Sequence, residues 1–382
     1  MGTTDWRVPL FKIYWDSDDV DSVREAVEAG RDWAIGPNVE RFERQLAEYV
    51  GAPHALSFNS GTSALHALMI AHGIGPGDEV IVPSFTFIST ANAPLFVGAR
   101  PVFADIEEQT RGLDPSDVRS RITDSTKVVM PVHYGGCPCR IEELRQVADE
   151  HGLLLVEDAA ESLGATLEGR HTGTFGDTGM YSLCGPKVIT SGEGGAVVTA
   201  SRDIFEHLRL IRSHGRREAT SYFDTPDRQE YVEVGYNFRM SNITAALAVT
   251  QLQKIEKMIS MRREKAGIYD ARLAGIEGLR TGSEPAGSRH VYQMYTVEVT
   301  DGGDVRDRLA SHLNSEGIMT KNYFEPVHRT VLFKEKLAYD TDLPVTEAVS
   351  SRVLTLPMYP GLSEGEIDFI CSKVRDFFGV DA

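Results

Sequence analysis

Cysteine is scarce in this sequence, with four in 382 residues. Cys137, Cys139, Cys184 and Cys371 are too few and too scattered for a disulfide framework. The Cys137-Pro-Cys139 pair lacks the spacing of a metal site, so reduced thiols and no metal are expected. Long apolar runs are lacking too. No stretch approaches the roughly 18 residues that a bilayer-crossing helix needs. The amino-terminal MGTTDWRVPLFK has no basic segment followed by an apolar one, the mark of a secretory leader. These absences point to a cytoplasmic protein with no membrane partner. Positive charge is the third deficit: 39 Lys and Arg stand against 56 Asp and Glu, a formal net charge of −17. Phosphate backbones are held by clustered Lys and Arg, so nucleic acid is excluded as a partner. A small anion is not excluded, because a helix N-terminus can hold a phosphate inside an acidic protein.

What is present is an ordinary globular composition, 41% hydrophobic and 25% charged, long enough to bury a large core. Helix patterns run over 17–29 and again after the Gly36-Pro37 break, where VERFERQLAEYV is closed by Gly51. A strand at 55–58, a helix at 62–72 and a strand at 79–83 follow. PVFADI, the stretch KVVMPVHY (a strand ending at His133) and LLLVED then read as strands, with the helix IEELRQVADEHG between the last two. Short apolar strands alternating with helices predict an α/β fold with a mostly parallel, buried central sheet. TGMYSLCGPKVITSGEGGAVVTAS reads as two short strands around a polar turn. One long helix is predicted from Asn242 through AALAVTQLQKIEKMISMRREKAGIYDARL, bridging a large domain (1–255) and a smaller C-terminal α+β domain (256–382).

Four constellations carry chemistry. Asn59-Ser60-Gly61-Thr62-Ser63 lies where a strand meets a helix, and its hydroxyls and free N–H groups make a phosphate cradle; a plain helix cap explains the same residues. Glu157-Asp158-Ala159-Ala160-Glu161 ends the apolar strand LLLVED, where open α/β sheets bind ligands. A desolvated acid there needs a positive partner, either a ring nitrogen or an ordinary salt bridge. Lys187 follows Ser182-Leu183-Cys184-Gly185-Pro186; such a lysine is either a desolvated nucleophile toward an aldehyde or a solvated surface residue. Gly235-Tyr236-Asn237-Phe238-Arg239 precedes the long helix and is otherwise a capped loop.

These blocks, in this order, resemble the DegT/DnrJ/EryC1/StrS aminotransferases, fold-type I enzymes that use pyridoxal 5'-phosphate. The resemblance runs from GPNVERFE through NSGTSAL, VPSFTF, PVHYGG, VEDAAES, YSLCGPK, GEGGAVV and GYNFRMSN to LPMYPGLS. It implies that Lys187 forms the Schiff base and moves the proton, and that Asp158 pairs with the ring nitrogen. Phe87 stacks on the ring, and Ser60, Gly61, Thr62 and Ser182 surround the phosphate. Asn237 reaches the cofactor of a second subunit, which makes a homodimer with shared sites. His328 stands near the substrate entrance, and Arg239 is a candidate for the donor's carboxylate. Glu161 departs from the Gln or His usual at its position and sets a second acid beside the cofactor. The implied reaction moves an amino group from glutamate, leaving 2-oxoglutarate, to a nucleotide-linked keto-sugar at C3 or C4. A free cyclitol ketone is the other enzymatic substrate open at this point. A pyridoxal-phosphate-binding regulator without turnover is the non-enzymatic reading, and the intact Lys187 and Asp158 argue against it.

Overall fold

The computed structural model describes residues 6–217 and 230–380. Residues 1–5, part of the stretch read for a leader, lie outside them. Seven strands form the central sheet: β1 (His54–Phe58), β2 (Glu79–Pro83), β3 (Arg100–Ala104), β4 (Thr126–Val129), β5 (Leu154–Asp158), β6 (Thr178–Ser182) and β7 (Gly195–Thr199). Their order is β1-β7-β6-β5-β4-β2-β3. The pairs from β6 to β3 are parallel, and β7 alone runs against its neighbours β1 and β6. The expected mostly parallel sheet is therefore present. Every residue of β7 is buried, as a sheet covered on both faces requires.

Twelve α-helices occur among the described residues, and those of the first half cover the sheet. They are α1 (Ser17–Glu28), α2 (Pro37–Val50), α3 (Gly61–Ala71), α4 (Ile88–Phe96), α5 (Pro115–Arg121), α6 (Ile141–His151), α7 (Arg202–Arg212), α8 (Asn242–Gln253), α9 (Ile255–Leu273), α10 (Gly303–Ser315), α11 (Pro344–Arg352) and α12 (Glu364–Phe378). In α2, Val39, Phe42, Leu46 and Val50 are buried at helical spacing, Pro37 opens the first turn, and Gly51 closes it at φ 72. Alternate residues of β7 point to opposite faces. Val197 joins the cluster of Phe58, Leu65 and Leu208, beneath α3 and α7. Ala196 and Val198 join the cluster of Phe42, Leu46 and Val249, beneath α2 and α8.

The C-terminal body has a three-stranded antiparallel sheet, β8 (Leu279–Thr281), β9 (Tyr295–Val299) and β10 (Val353–Leu356), with β9 central. Its core unites Tyr269 and Leu273 of α9 with Leu309, Leu313 and Ile370. Val8 crosses to this body from the amino terminus and pairs with Ile318.

The structure corrects several expectations. The helix predicted as one piece from Asn242 breaks at Lys254, whose N–H turns back to the Gln251 carbonyl at 3.1 Å. Its ammonium is held there by Asp16 at 2.6 Å and Asp19 at 2.5 Å. The strand expected to end at His133 ends at Val129, and Pro131, without an N–H, cannot continue the ladder. Helices α4, α5, α7 and α11 were not expected. α4 mixes polar Ser89, Thr90 and Asn92 with apolar residues, carries Pro94 inside, and so shows no clear helical period to read.

Candidate active site

Sheets of this kind bind ligands at the carboxyl ends of their strands, and the described cavity there has a volume of about 430 Å³. Lys187, Asp158 and Glu161 line it together with Ser60, Gly61, Thr62, Phe87 and Ser182. These residues come from loops after β1, β2, β5 and β6, so the sheet brings distant sequence blocks to one place.

Asp158 ends β5 and is 4% exposed. Thr90 Oγ1 donates to its Oδ2 at 2.7 Å, and the Ala160 N–H donates to its Oδ1 at 3.1 Å. Thr90 also bonds Thr86 Oγ1 at 2.8 Å, which fixes the hydroxyl facing the acid. Burial pushes the Asp158 carboxyl above its ordinary range; Thr90, Ala160 N–H and Lys187 act the other way. Glu157, its neighbour in sequence, points to the opposite side, as strand alternation demands. There His133 Nε2 lies 2.9 Å from its Oε2, and the N–H groups of Gly173 and Gly176 donate at 2.7 and 2.6 Å. Cys139 N–H donates to His133 Nδ1 at 3.2 Å, so the imidazole proton sits on Nε2, toward Glu157. Of the two acids that close LLLVED, one faces the cavity and the other is consumed by the scaffold.

Lys187 is neither solvated nor in purely apolar surroundings. Its Nζ lies 3.4 Å from Glu161 Oε1, and Glu161 Oε2 accepts the Gly135 N–H at 2.9 Å. The two side chains are 17% and 8% exposed. Gln293 holds the adjoining turn by donating to the Pro186 carbonyl at 2.5 Å.

The N-terminus of α3 opens onto the same cavity. Ser60 caps it by accepting the Ser63 N–H at 3.0 Å, and Thr62 Oγ1 meets Ser89 Oγ at 2.9 Å. Cap and cradle are thus one structure. A Cβ on Gly195, the first residue of β7, would come within 2.6 Å of Gly61 N; a side chain there would push the helix end out of place. Phe87 is 61% exposed and presents its ring at the cavity wall.

Three residues singled out in sequence do not reach the described wall of this cavity. The Asn237 carbonyl accepts Asn59 Nδ2 at 3.2 Å, and Arg239 Nη1 donates to Ser213 Oγ at 3.1 Å. His328 is buried, with Nδ1 2.7 Å from Ser84 Oγ and Nε2 3.1 Å from Glu347. Burial pushes its imidazole below the usual value, and Glu347 opposes that. The wall also contains residues that sequence reading missed: Leu10 and Phe11 from the amino terminus, and Lys321, Tyr323, Phe324 and Thr355 from the C-terminal body. They carried no local signal, because only tertiary folding brings them there. All four cysteines are free. Among the described residues no group of acids, His or Cys is arranged to hold a metal, and no helix is long and apolar enough to cross a membrane.

A buried carboxylate with no salt bridge among the described residues, a lysine across the cavity and a helix N-terminus beside them fit the ring nitrogen, aldehyde and phosphate of pyridoxal phosphate. Fold and site together define a pyridoxal-phosphate transferase. The model of the DegT/DnrJ/EryC1/StrS aminotransferase family matches residues 14–375, and the chain belongs to that family. It is similar to the GDP-perosamine synthase of Caulobacter vibrioides, 38% identical over 96% of this chain and 97% of that one. It is also similar to the GDP-perosamine synthase of Vibrio cholerae, 36% identical over 97% and 99%. Among solved structures, S. venezuelae DesV in complex with a ketimine intermediate matches with a TM-score of 0.89 and 32% identity, covering 98% of this chain and all of that one (100%). The protein is a transaminase whose cofactor is pyridoxal phosphate.

Proposed function

We propose that this enzyme moves the amino group of glutamate to the C3 or C4 ketone of a nucleotide-linked sugar in the cytoplasm. The observation that carries the reading is the meeting of Lys187 and Asp158 across one cavity at the strand ends. The naming of two full-length relatives as GDP-perosamine synthases supports the sugar nucleotide. Pyridoxal phosphate supplies an aldehyde that accepts an amino group and a ring that takes up the electron pair left when a Cα–H bond breaks. Asp158 keeps the ring nitrogen protonated, with Thr90 and Ala160 N–H fixing the carboxylate. Lys187 Nζ carries the proton from the donor's Cα and later delivers one to the sugar carbon. Glu161 orients that ammonium between turns. The α3 N–H groups with Ser60, Thr62 and Ser182 hold the phosphate, and Phe87 covers the ring. The division into residues 1–255 and 256–382 is part of this proposal, with Val8 as an exchange between the two.

The test follows the cofactor's visible absorbance. Glutamate should discharge it and release 2-oxoglutarate, and a 3-keto or 4-keto nucleotide sugar should restore it. Turnover of a free cyclitol ketone, with none of any nucleotide sugar, would reject the reading.

The active unit in this proposal is a homodimer with shared sites. Phe87, Phe96, Tyr231 and Tyr236 are exposed. The His66 ring links Phe96 and Tyr236 at 5.2 and 5.1 Å, and Tyr236 stacks on Phe238 at 4.7 Å. Such a connected apolar patch marks a contact surface, and Phe87, also exposed, lines the cavity. Asn237 and Arg239 lie on the neighbouring segment, off the wall of their own chain's cavity, where they would serve a partner's site. Co-expressing Lys187→Ala with Asn237→Ala chains tests this. With shared sites, one site of the heterodimer carries both lesions and the other neither, so about half the activity returns. With sites built inside one chain, every site is damaged and no recovery occurs.

A further inference from the structure

We infer that Lys321 is the residue that reads the substrate's anion, and that this anion is the diphosphate of the sugar nucleotide rather than a carboxylate of the amino donor. The inference rests on the proposed function and adds how its substrate class is recognised. Lys321 is built into the cavity rim. Its N–H donates to the Thr355 carbonyl at 3.2 Å and its carbonyl accepts the Thr355 N–H at 2.9 Å. This pairing sets the residue beside β10, whose Thr355 and Leu356 also line the cavity. The side chain is exposed, and its ammonium stands 4.7 Å from the centroid of Tyr323, another wall residue. No carboxylate pairs with it among the described residues.

The charges of the wall single it out. The described lining contains Asp158, Glu161 and Glu193 against Lys187 and Lys321. Lys187 is tied to Glu161 and, in the proposed chemistry, is engaged with the cofactor. Lys321 is therefore the cation of the described wall whose charge remains for a substrate. In a chain of net charge −17, an anionic substrate needs such a local positive group. The keto-sugar ring is neutral, so its diphosphate is the group Lys321 can hold. An ammonium is a point charge suited to phosphate oxygens, whereas planar carboxylate recognition favours the fork of an arginine. The neighbours agree with a nucleotide: Phe11, 40% exposed, and Tyr323 present aromatic faces on the same cavity, and nucleobases stack on such rings. A free cyclitol ketone would leave this cation and these rings without a role.

The experiment compares holoenzyme of wild type, Lys321→Met and Lys321→Arg, using GDP, UDP and dTDP as competing probes and their 4-keto-6-deoxyhexose derivatives as substrates. The two half-reactions are followed separately. In Lys321→Met, the inhibition constant of the competing nucleoside diphosphate and the KM of its keto-sugar should each rise by about tenfold or more. Added salt should weaken nucleotide binding in wild type more than in this variant. Lys321→Arg should recover most of the loss, and the KM for glutamate should move far less than that for the sugar. Equal inhibition of wild type and Lys321→Met overturns the inference and leaves the proposed function standing. A rise in the glutamate KM matching that of the sugar overturns it too, because Lys321 would then read the donor. If no nucleoside diphosphate inhibits wild type and only a neutral ketone is aminated, the proposed function itself fails and the inference falls with it.

Discussion

Lys187→Ala is expected to abolish transamination, lowering the rate by about 10³-fold or more, because in the proposed mechanism the variant loses both the covalent attachment of the cofactor and the group that moves the proton. The fold should survive, since the side chain packs against the cavity and not within a hydrophobic cluster. The substitution still has a structural consequence. Glu161 loses the ammonium 3.4 Å away and, among the described residues, keeps the Gly135 N–H. At 8% exposure a lone carboxylate is poorly solvated, and removing one member of such a pair costs more than the pair itself contributes. The single variant should therefore melt lower than wild type in the absence of cofactor, and Lys187→Ala/Glu161→Gln should recover part of that loss without recovering activity. Borohydride reduction of the wild-type holoenzyme followed by peptide mapping checks the assignment. A label on any lysine other than Lys187 would sink it.

How much of this was legible in the sequence depends on whether a feature is local. Strand, turn and helix at 54–71 carry their own signals: apolar residues, then Ser60 as cap, then a run of small and apolar residues. The cavity floor inherits that legibility, because Gly61, Asp158 and Ser182 stand at strand ends that the pattern itself marks. Which of Glu157 and Asp158 faces the ligand was not legible from the residues themselves, and only the resemblance named Asp158. It depends on strand phase relative to the helices, and on His133, Gly173 and Gly176 being placed to hold Glu157. Thr90 was hidden because it lies in α4, a short helix holding Pro94 and mixed polar and apolar residues with no readable period. The break at Lys254 was hidden because its cause is the distant pair Asp16 and Asp19. His328, Asn237 and Arg239 came from motif resemblance alone. Resemblance says that a residue matters but not whether its side chain faces its own cavity, a partner's, or the packing beneath. Lys321 and Phe11 stand at the opposite extreme, with no local pattern and with functional meaning only once the C-terminal body closes over the sheet.

Asp158→Asn should lower both half-reactions by about 10²- to 10⁴-fold, the range for removing a preorganised charge or proton-holding group from a closed site, while cofactor affinity changes much less. The amide has the shape of the carboxyl, so the site can accept it. Its oxygen can still take the Ala160 N–H. Its NH₂ can face Thr90 Oγ1, provided that hydroxyl turns to donate to Thr86 Oγ1, already 2.8 Å away. What is lost is the negative charge. Without it the ring nitrogen has no reason to hold a proton, and the electron pair released at Cα is no longer drawn into the ring. A second readout needs no turnover. Burial raises the Asp158 carboxyl above its ordinary value in the folded chain, so folding takes up this proton more readily than the unfolded chain does. The resulting stabilisation is complete below the unfolded value and is lost as pH rises through the folded one. Above that folded value the cofactor-free enzyme carries a buried carboxylate that waits for its cation, and Asp158→Asn removes that burden. The cofactor-free variant should melt above cofactor-free wild type at neutral pH, with the difference shrinking in acid, while the loaded variant gains less from cofactor than wild type does. A stable, slow variant of this kind is the expected trade between a strained site and its activity. Near-normal single-turnover rates with glutamate, or a cofactor-free variant no more stable than wild type, would remove Asp158 from the role assigned to it.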